Sequence, residues 1–363
     1  MTLLLLTYPL EPVRRNACGG TEQMAFLLLQ HLASAPNLRV FWVGAAASQR
    51  FPQVEFISWP RLLSECGLPP IPASPIPQVA LDQLLAHCRS AARRLAQRLA
   101  SSVGLDVIHS FGGLWSADLS GFPAPLLFTL HLSRSLYPAA WGRVPQSGLH
   151  LQCVSRSQKF DYGSVACCGV VANGINLTAF APPRRPIPAS APLLYLGRIC
   201  PEKAPHAAIA IAHQARRKLW LVGGVAPFPS HRQYFRRAIA PYLNADIRWM
   251  PPPPFRTKRR LLNTAAALLL PSRIPETSSI VAMEAAASGL PVLAAGVGSL
   301  PEIVQEGQTG FLGDDHTLAR AVDHLSAIAP AACRRWAERH FPADRMCGQY
   351  QDLYRRLAAG VHH

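Results

Sequence analysis

The chain has 363 residues, 49% of them hydrophobic, enough for two domains that each bury a core of their own. Its 36 lysines and arginines against 20 acids give a formal charge of +16, a field that draws anions; no zinc-finger, RRM or KH signature accompanies it, so no nucleic-acid partner is expected. No apolar run reaches the ~20 residues of a membrane-spanning helix, and the nine cysteines, odd in number and without paired zinc spacing, read as reduced core thiols.

The opening MTLLLLT lacks a basic start and is too short for a signal peptide, so it reads as a buried first strand (2–7) of a cytoplasmic protein. A glycine loop and a helix follow in GGTEQMAFLLLQHL (19–32). Further strands are predicted at 39–43, 106–110, 125–130, 151–155 and 169–173. The helix predicted over 81–100 gathers Leu81, Leu84, Leu85, Leu95 and Leu99 on one face and spreads Arg89, Arg93, Arg94 and Arg98 over the other. It is either an ordinary domain helix or a peripheral contact with an anionic membrane. The second half repeats the scheme, with strands at 193–197, 219–224, 247–250, 267–272 and 291–295 separated by helices at 204–216, 257–266 and 277–288. A last helix is read in the tail at 342–359. Proline clusters at 69–77 and 251–254 read as loops, and the proline-rich 181–192 as a linker. Strands apolar on both faces, alternating with helices, argue for parallel doubly wound sheets. The expectation is two Rossmann-like α/β domains, 1–180 and 193–341, facing a central cleft.

Two stretches carry chemistry. In LLYLGRICPEKAP a strand ends and turns outward at Gly197, the edge where open α/β sheets bind ligands. Arg198 and Lys203 follow in a loop before a helix, either converging on one anion or standing as solvated surface cations. In LLLPSRIPETSSIVAMEAAASGLP a strand leads through Glu276 into a helix expected to start near Thr277 or Ser278. The unpaired N–H groups of that first turn make an anion site with Glu276 beside it. Glu284, about two turns on, needs a partner if buried, a ribose diol or an arginine.

These residues resemble glycosyltransferase family 4, the retaining GT-B enzymes. GRICPEKA, the glutamates Glu276 and Glu284 with seven residues between them, and GSLPEIVQEGQTGFL carry the resemblance; VANGINLTAF (171–180) and the glycine loop extend it along the chain. It implies that Arg198 and Lys203 grip the donor diphosphate, that Glu284 binds the nucleotide ribose, and that Glu276 contacts the donor sugar. It also implies that the segment Thr277, Ser278, Ser279, Ile280 and Val281 offers backbone N–H groups to sugar and phosphate. Gly19 and Gly20 would let the first domain approach the phosphates, and the base would lie against the loop after Met250. His131, at a strand end in FTLHLSRS, would face the donor sugar; His109, ending another strand, is an acceptor-side candidate. The tail helix would pack back on the first domain. Trp115 reads as core.

The resemblance implies transfer of a sugar from a nucleoside diphosphate sugar, UDP-linked by preference, to an acceptor hydroxyl with retention, without metal or other cofactor. The acceptor, whether saccharide, natural product or lipid-linked, is fixed by no motif. Departures are ETSSI, which puts Ser279 where the family has glycine, Asn176 for an aspartate, Ala204 for a glycine, and the proline run at 251–254. The rival readings are another GT-B enzyme, an epimerase or phosphorylase, and a basic binding protein that has lost catalysis.

Overall fold

The computed structural model describes residues 1–17, 19–74, 76–112, 119–137, 148–163, 167–226 and 228–360; Cys18 and Trp115 lie outside the described residues. The chain divides into two compact units, one of Met1–Asn173 with Ala343–His363, the other of Gly174–Pro342.

The first unit runs β1 (Thr2–Thr7), α1 (Gly20–Leu32), β2 (Arg39–Gly44), β3 (Val54–Ser58), α2 (Trp59–Glu65), α3 (Gln78–Ser102), β4 (Val107–Phe111), β5 (Leu126–Leu130), β6 (Leu149–Cys153), α4 (Arg156–Tyr162) and β7 (Cys167–Val170). Its seven parallel strands are ordered β3-β2-β1-β4-β5-β6-β7. The run Leu3–Leu6 is fully buried because helices cover both sheet faces. β3 was not foreseen: it is an edge strand carrying Glu55, which pairs with Arg39 on β2 at 2.7 Å.

On α3 the leucines at 84, 85, 95 and 99 are buried as expected, while Leu81 is only half-buried. Three of the four arginines are tied to their own unit. Arg93 donates to Ser120 O, Arg94 to Cys66 O at 2.8 Å, and Arg98 lies 3.6 Å from Glu65. They staple neighbouring segments to the helix. No described helix is long and apolar enough to cross a membrane.

The second unit runs β8 (Leu193–Leu196), α5 (Pro205–Gln214), β9 (Leu219–Val222), α6 (Pro229–Tyr234), β10 (Ile247–Met250), α7 (Phe255–Leu262), β11 (Leu268–Leu270), α8 (Ile280–Ala287), β12 (Val292–Ala294), α9 (Leu300–Ile303), β13 (Gly310–Leu312), α10 (Asp315–Ala321) and α11 (Pro330–His340). Its six parallel strands are ordered β10-β9-β8-β11-β12-β13. β13, a three-residue edge strand, was also missed.

The segment 181–192 does not mark the boundary between units. The division falls at Asn173/Gly174, because the residues after it are built into the second unit. Ile175 N donates to Phe341 O at 2.8 Å, Phe180 packs in the core with Leu262 and Met283, and Arg334 donates to the carbonyls of Leu177, Phe180 and Ala287. The chain then returns to the first unit as α12 (Ala343–Ala358), which packs on α1 and β4.

Candidate active site

In each unit most of the candidate residues lie at the C-terminal strand edge around the point where the strand order reverses, the place ligands occupy in open α/β sheets; Met250, at the end of the outermost strand β10, lies further out. In the first unit that reversal is between β1 and β4, in the second between β8 and β11.

In the second unit β8 gives way to Gly197 and Arg198. Tyr195 Oη donates to Arg198 O at 2.7 Å, which fixes the backbone, but the guanidinium is 62% exposed and only loosely paired with Glu202 at 3.7 Å. The loop tightens through Ala204, whose φ of +49° is left-handed at a position where glycine would be unstrained, and α5 begins at Pro205. Lys203 does not converge with Arg198 on open solvent. Its Nζ lies 2.9 Å from Glu276 Oε1, with the two side chains 25% and 7% exposed. Ser272 Oγ donates to the same oxygen.

Glu276 is held from behind by the loop after β12. Ser299 N donates to Glu276 O at 2.8 Å, and Gly298, at φ +62°, passes so close that an added Cβ would stand 2.5 Å from both Glu276 N and Glu276 O. A left-handed backbone alone costs a non-glycine residue about 1–2 kcal/mol, and this contact is with backbone that cannot swing aside. Gly298→Ala is therefore expected to lower the melting temperature and, by displacing Glu276, the activity of whatever remains folded. A variant with wild-type melting and wild-type rate would contradict the buttressing role.

The helix after Glu276 starts later than expected. α8 begins at Ile280, because Ser279 stays extended at φ −110°, ψ 91° and caps nothing with its side chain. The first-turn N–H groups of α8 have no carbonyl within the helix. Around them the hydroxyls of Ser278, Ser279 and Ser299 are buried without a hydrogen-bond partner. Buried polar groups are nearly always satisfied, so three orphans beside a helix N-terminus mark a place where a ligand's oxygens belong. Thr277 and Val281 line the same segment, both half-buried. Met250 ends β10, and its carbonyl accepts from Gly223 N at 3.0 Å, which fixes it beside the loop after β9.

Glu284 is buried, and its partner is not an arginine. Lys258 of α7 donates to Glu284 Oε1 at 2.6 Å. Burial pushes the Glu284 carboxyl above its usual range while Lys258 pulls it back. Lys258 escaped the sequence reading as one of several cations in FRTKRRLL. A signal was present: with Phe255, Leu261 and Leu262 it occupies the apolar stripe of α7, where a solvated cation does not belong.

In the first unit Gly19 caps α1 and Gly20 is its first residue, both exposed. Gly112, at φ +84°, is flanked by Thr21 and His131: an added Cβ would stand 2.8 Å from Thr21 Cγ2 and 3.4 Å from His131 Cδ2. The glycine loop and His131 thus border one turn. His131 N donates to Tyr137 Oη at 2.9 Å, and its ring lies 4.5 Å from that of Phe111. The residue keeps some exposed surface but its Nε2 is enclosed, and burial pushes the imidazole down to about 3.

His109 has a different place from the acceptor side assigned to it. It is fully buried, Nδ1 2.6 Å from Tyr354 Oη and Nε2 2.8 Å from Thr129 Oγ1, which lies 3.1 Å from Tyr350 Oη. Both ring nitrogens are engaged, and burial, then His131, holds its pKa well below the usual value. His109 is the polar anchor by which α12 is docked on the sheet.

Residues 191–327 match the family model described as glycosyl transferases group 1. The D-inositol 3-phosphate glycosyltransferase of Mycobacterium sp. (strain KMS) is 32% identical over 185 residues, 47% of this chain and 42% of that protein. The chain spans about half or less of the length of the curated relatives it matches. Among solved structures, sucrose-phosphate synthase from Thermosynechococcus elongatus superposes with a TM-score of 0.74 at 21% identity, covering 99% of this chain and 100% of that one. Anabaena HepE in complex with UDP-glucose superposes with a TM-score of 0.69 at 17% identity, covering 98% and 100%. With two parallel doubly wound sheets, the fold is GT-B.

Proposed function

We propose that this chain, whose residues 191–327 match the family model described as glycosyl transferases group 1, moves a sugar from a UDP-sugar to an acceptor hydroxyl with retention and without metal. The observation that carries this reading is the set of orphaned seryl hydroxyls and free N–H groups at the start of α8, beside Glu276 and the exposed Arg198. That constellation offers donors to an anion and to sugar hydroxyls together. UDP is favoured because HepE, of the same fold, is known with UDP-glucose.

In the reaction the bond from the sugar's anomeric carbon to the diphosphate oxygen breaks, its electron pair leaving with UDP. The acceptor oxygen bonds the same carbon on the same face, and its proton passes to the departing phosphate. Arg198 and the α8 N-terminus stabilise the charge that develops on the diphosphate, as preorganised donors do. Glu276 fixes the sugar, and Glu284 accepts from the ribose. His131, kept neutral, contributes a hydrogen bond.

UDP is expected to raise the melting temperature in a saturable way, worth about 2.7 kcal/mol at a hundredfold excess over the dissociation constant. Arg198→Ala should abolish most of that gain. For Lys203 the informative variant is Lys203→Ala combined with Glu276→Gln, which avoids leaving a buried carboxylate unpaired. EDTA should leave the transfer rate unchanged. Melting curves indifferent to UDP, GDP and ADP alike would end the donor-site reading, and a strict metal requirement would end the metal-free one.

A further inference from the structure

The two glutamates of the site each hold a lysine, but the pairs differ. Lys203 reaches Glu276 from the adjacent loop and remains partly solvated. Lys258 reaches Glu284 from the buried stripe of α7, with the side chains 17% and 4% exposed. Its Nζ also stands 5.5 Å from the ring centroid of Phe255 and 5.9 Å from that of Phe180. Around Glu284 the rest of α8 is apolar: Ala282, Met283, Ala285, Ala286 and Ala287 are all buried.

A buried ion pair in such surroundings adds little to stability, because desolvating two charges offsets their attraction; apolar residues of like volume do as well or better. Its presence therefore calls for a use of the charge itself. Among the described residues Lys258 is the only side chain bonded to Glu284, and the only ionisable group acting on it. Of the elements packed on α8, α11 contributes Arg334, but its guanidinium serves Ala287 O at the far end of the helix and Glu338.

We infer that Lys258 is a positioning residue that fixes Glu284 by its Oε1 and keeps it a carboxylate, leaving Oε2 to accept from the vicinal hydroxyls of a nucleotide ribose. This rests on the donor-site reading above. A protonated Glu284 would present a donor where the ribose hydroxyls also donate, so the choice of a ribonucleotide over a deoxyribonucleotide depends on the lysine. An ordinary structural pair would set no such preference.

The experiment is calorimetric titration with UDP and 2′-deoxy-UDP from about pH 5 to pH 8.5, a window bracketing a raised carboxyl. The wild type should prefer UDP by about tenfold or more, and the preference should fall as the pH drops and Glu284 takes a proton. In Lys258→Met the fall should occur at higher pH, so that at neutral pH the two ligands bind nearly alike. Lys258→Arg should keep the wild-type midpoint, and Glu284→Gln should lose the pH dependence. If Lys258→Met does not fold, Lys258→Gln, which keeps a donor without the charge, reads out the same midpoint. An unchanged midpoint and an unchanged ribose preference in the neutral variants overturn the inference and leave the donor site intact. Failure of the wild type to bind any nucleoside diphosphate is the separate result that overturns the donor site itself.

Discussion

Glu276→Ala is expected to cut sugar transfer by about a hundredfold or more while changing UDP affinity little, since the loss of one group acting mainly in the transition state commonly costs that much. The carboxylate is held by Lys203 at 2.9 Å and by the Ser272 hydroxyl, and its backbone is gripped by Ser299 and Gly298. Such support suits a group that must keep its position. Lys203, a quarter exposed, can turn to water when the carboxylate is gone, so the variant should fold. His131→Ala should show the same split between turnover and UDP binding. With burial holding His131 down at about 3, its imidazole is already neutral well below neutral pH. Activity should therefore show no inflection from this residue near the ordinary histidine value of about 6.5. Turnover with a panel of UDP-sugars, set beside calorimetry with UDP, decides both: near-normal turnover in either variant removes that residue from the site.

The parts of this arrangement that were legible in the sequence are those with a local signature. Leu3–Leu6 read as a strand because a sheet covered on both faces leaves no polar position in its central strand. Two of the edge strands, β3 and β13, carry no such mark. β3 exposes Glu55, and β13 opens with Gly310, where an added Cβ would stand 1.8 Å from Val292 O, so strand propensity is given up for close approach. The start of α8 was misplaced by two to three residues because Ser278 and Ser279 are residues a helix accepts; Ser279 stays extended, and the hydroxyls of both are left without a hydrogen-bond partner. Glu276, Glu284, Arg198 and Lys203 stand out by their places after a strand end and around a helix start, and the motif resemblance supplies their roles; neither identifies the lysines that pair with the two glutamates. Lys258 is 26 positions from Glu284. The role of His109 depends on Tyr354, 245 positions away. No spacing rule reaches that far, and a histidine at a strand end looks the same whether it faces a substrate or a docked helix.

Lys258→Met is expected to destabilise the second unit by about 3–5 kcal/mol at neutral pH, the range found when one member of a buried ion pair is removed and the other charge is left unpaired. The pH dependence follows from the carboxyl. Burial raises the folded-state pKa of Glu284 above its unfolded value even with Lys258 present. Stability from a raised carboxyl is fully present below the unfolded pKa and is lost as the pH climbs through the folded one. Removing Lys258 takes away what lowers that pKa, so it rises further and the loss at neutral pH deepens. On acidification both proteins carry a protonated Glu284, and the deficit of the variant should shrink toward what the lost packing alone explains. Glu284→Met should cost less, because a lysine on a surface helix can extend its amine to water. The double variant, with methionine at both positions, should recover most of the loss or exceed the wild type, as apolar replacements of buried pairs do. Urea unfolding of the four proteins at several pH values measures all of this. A deficit that is the same at every pH, or a double variant as weak as Lys258→Met alone, would mean that the pair stabilises the fold by packing and that charge is not what ties Lys258 to Glu284.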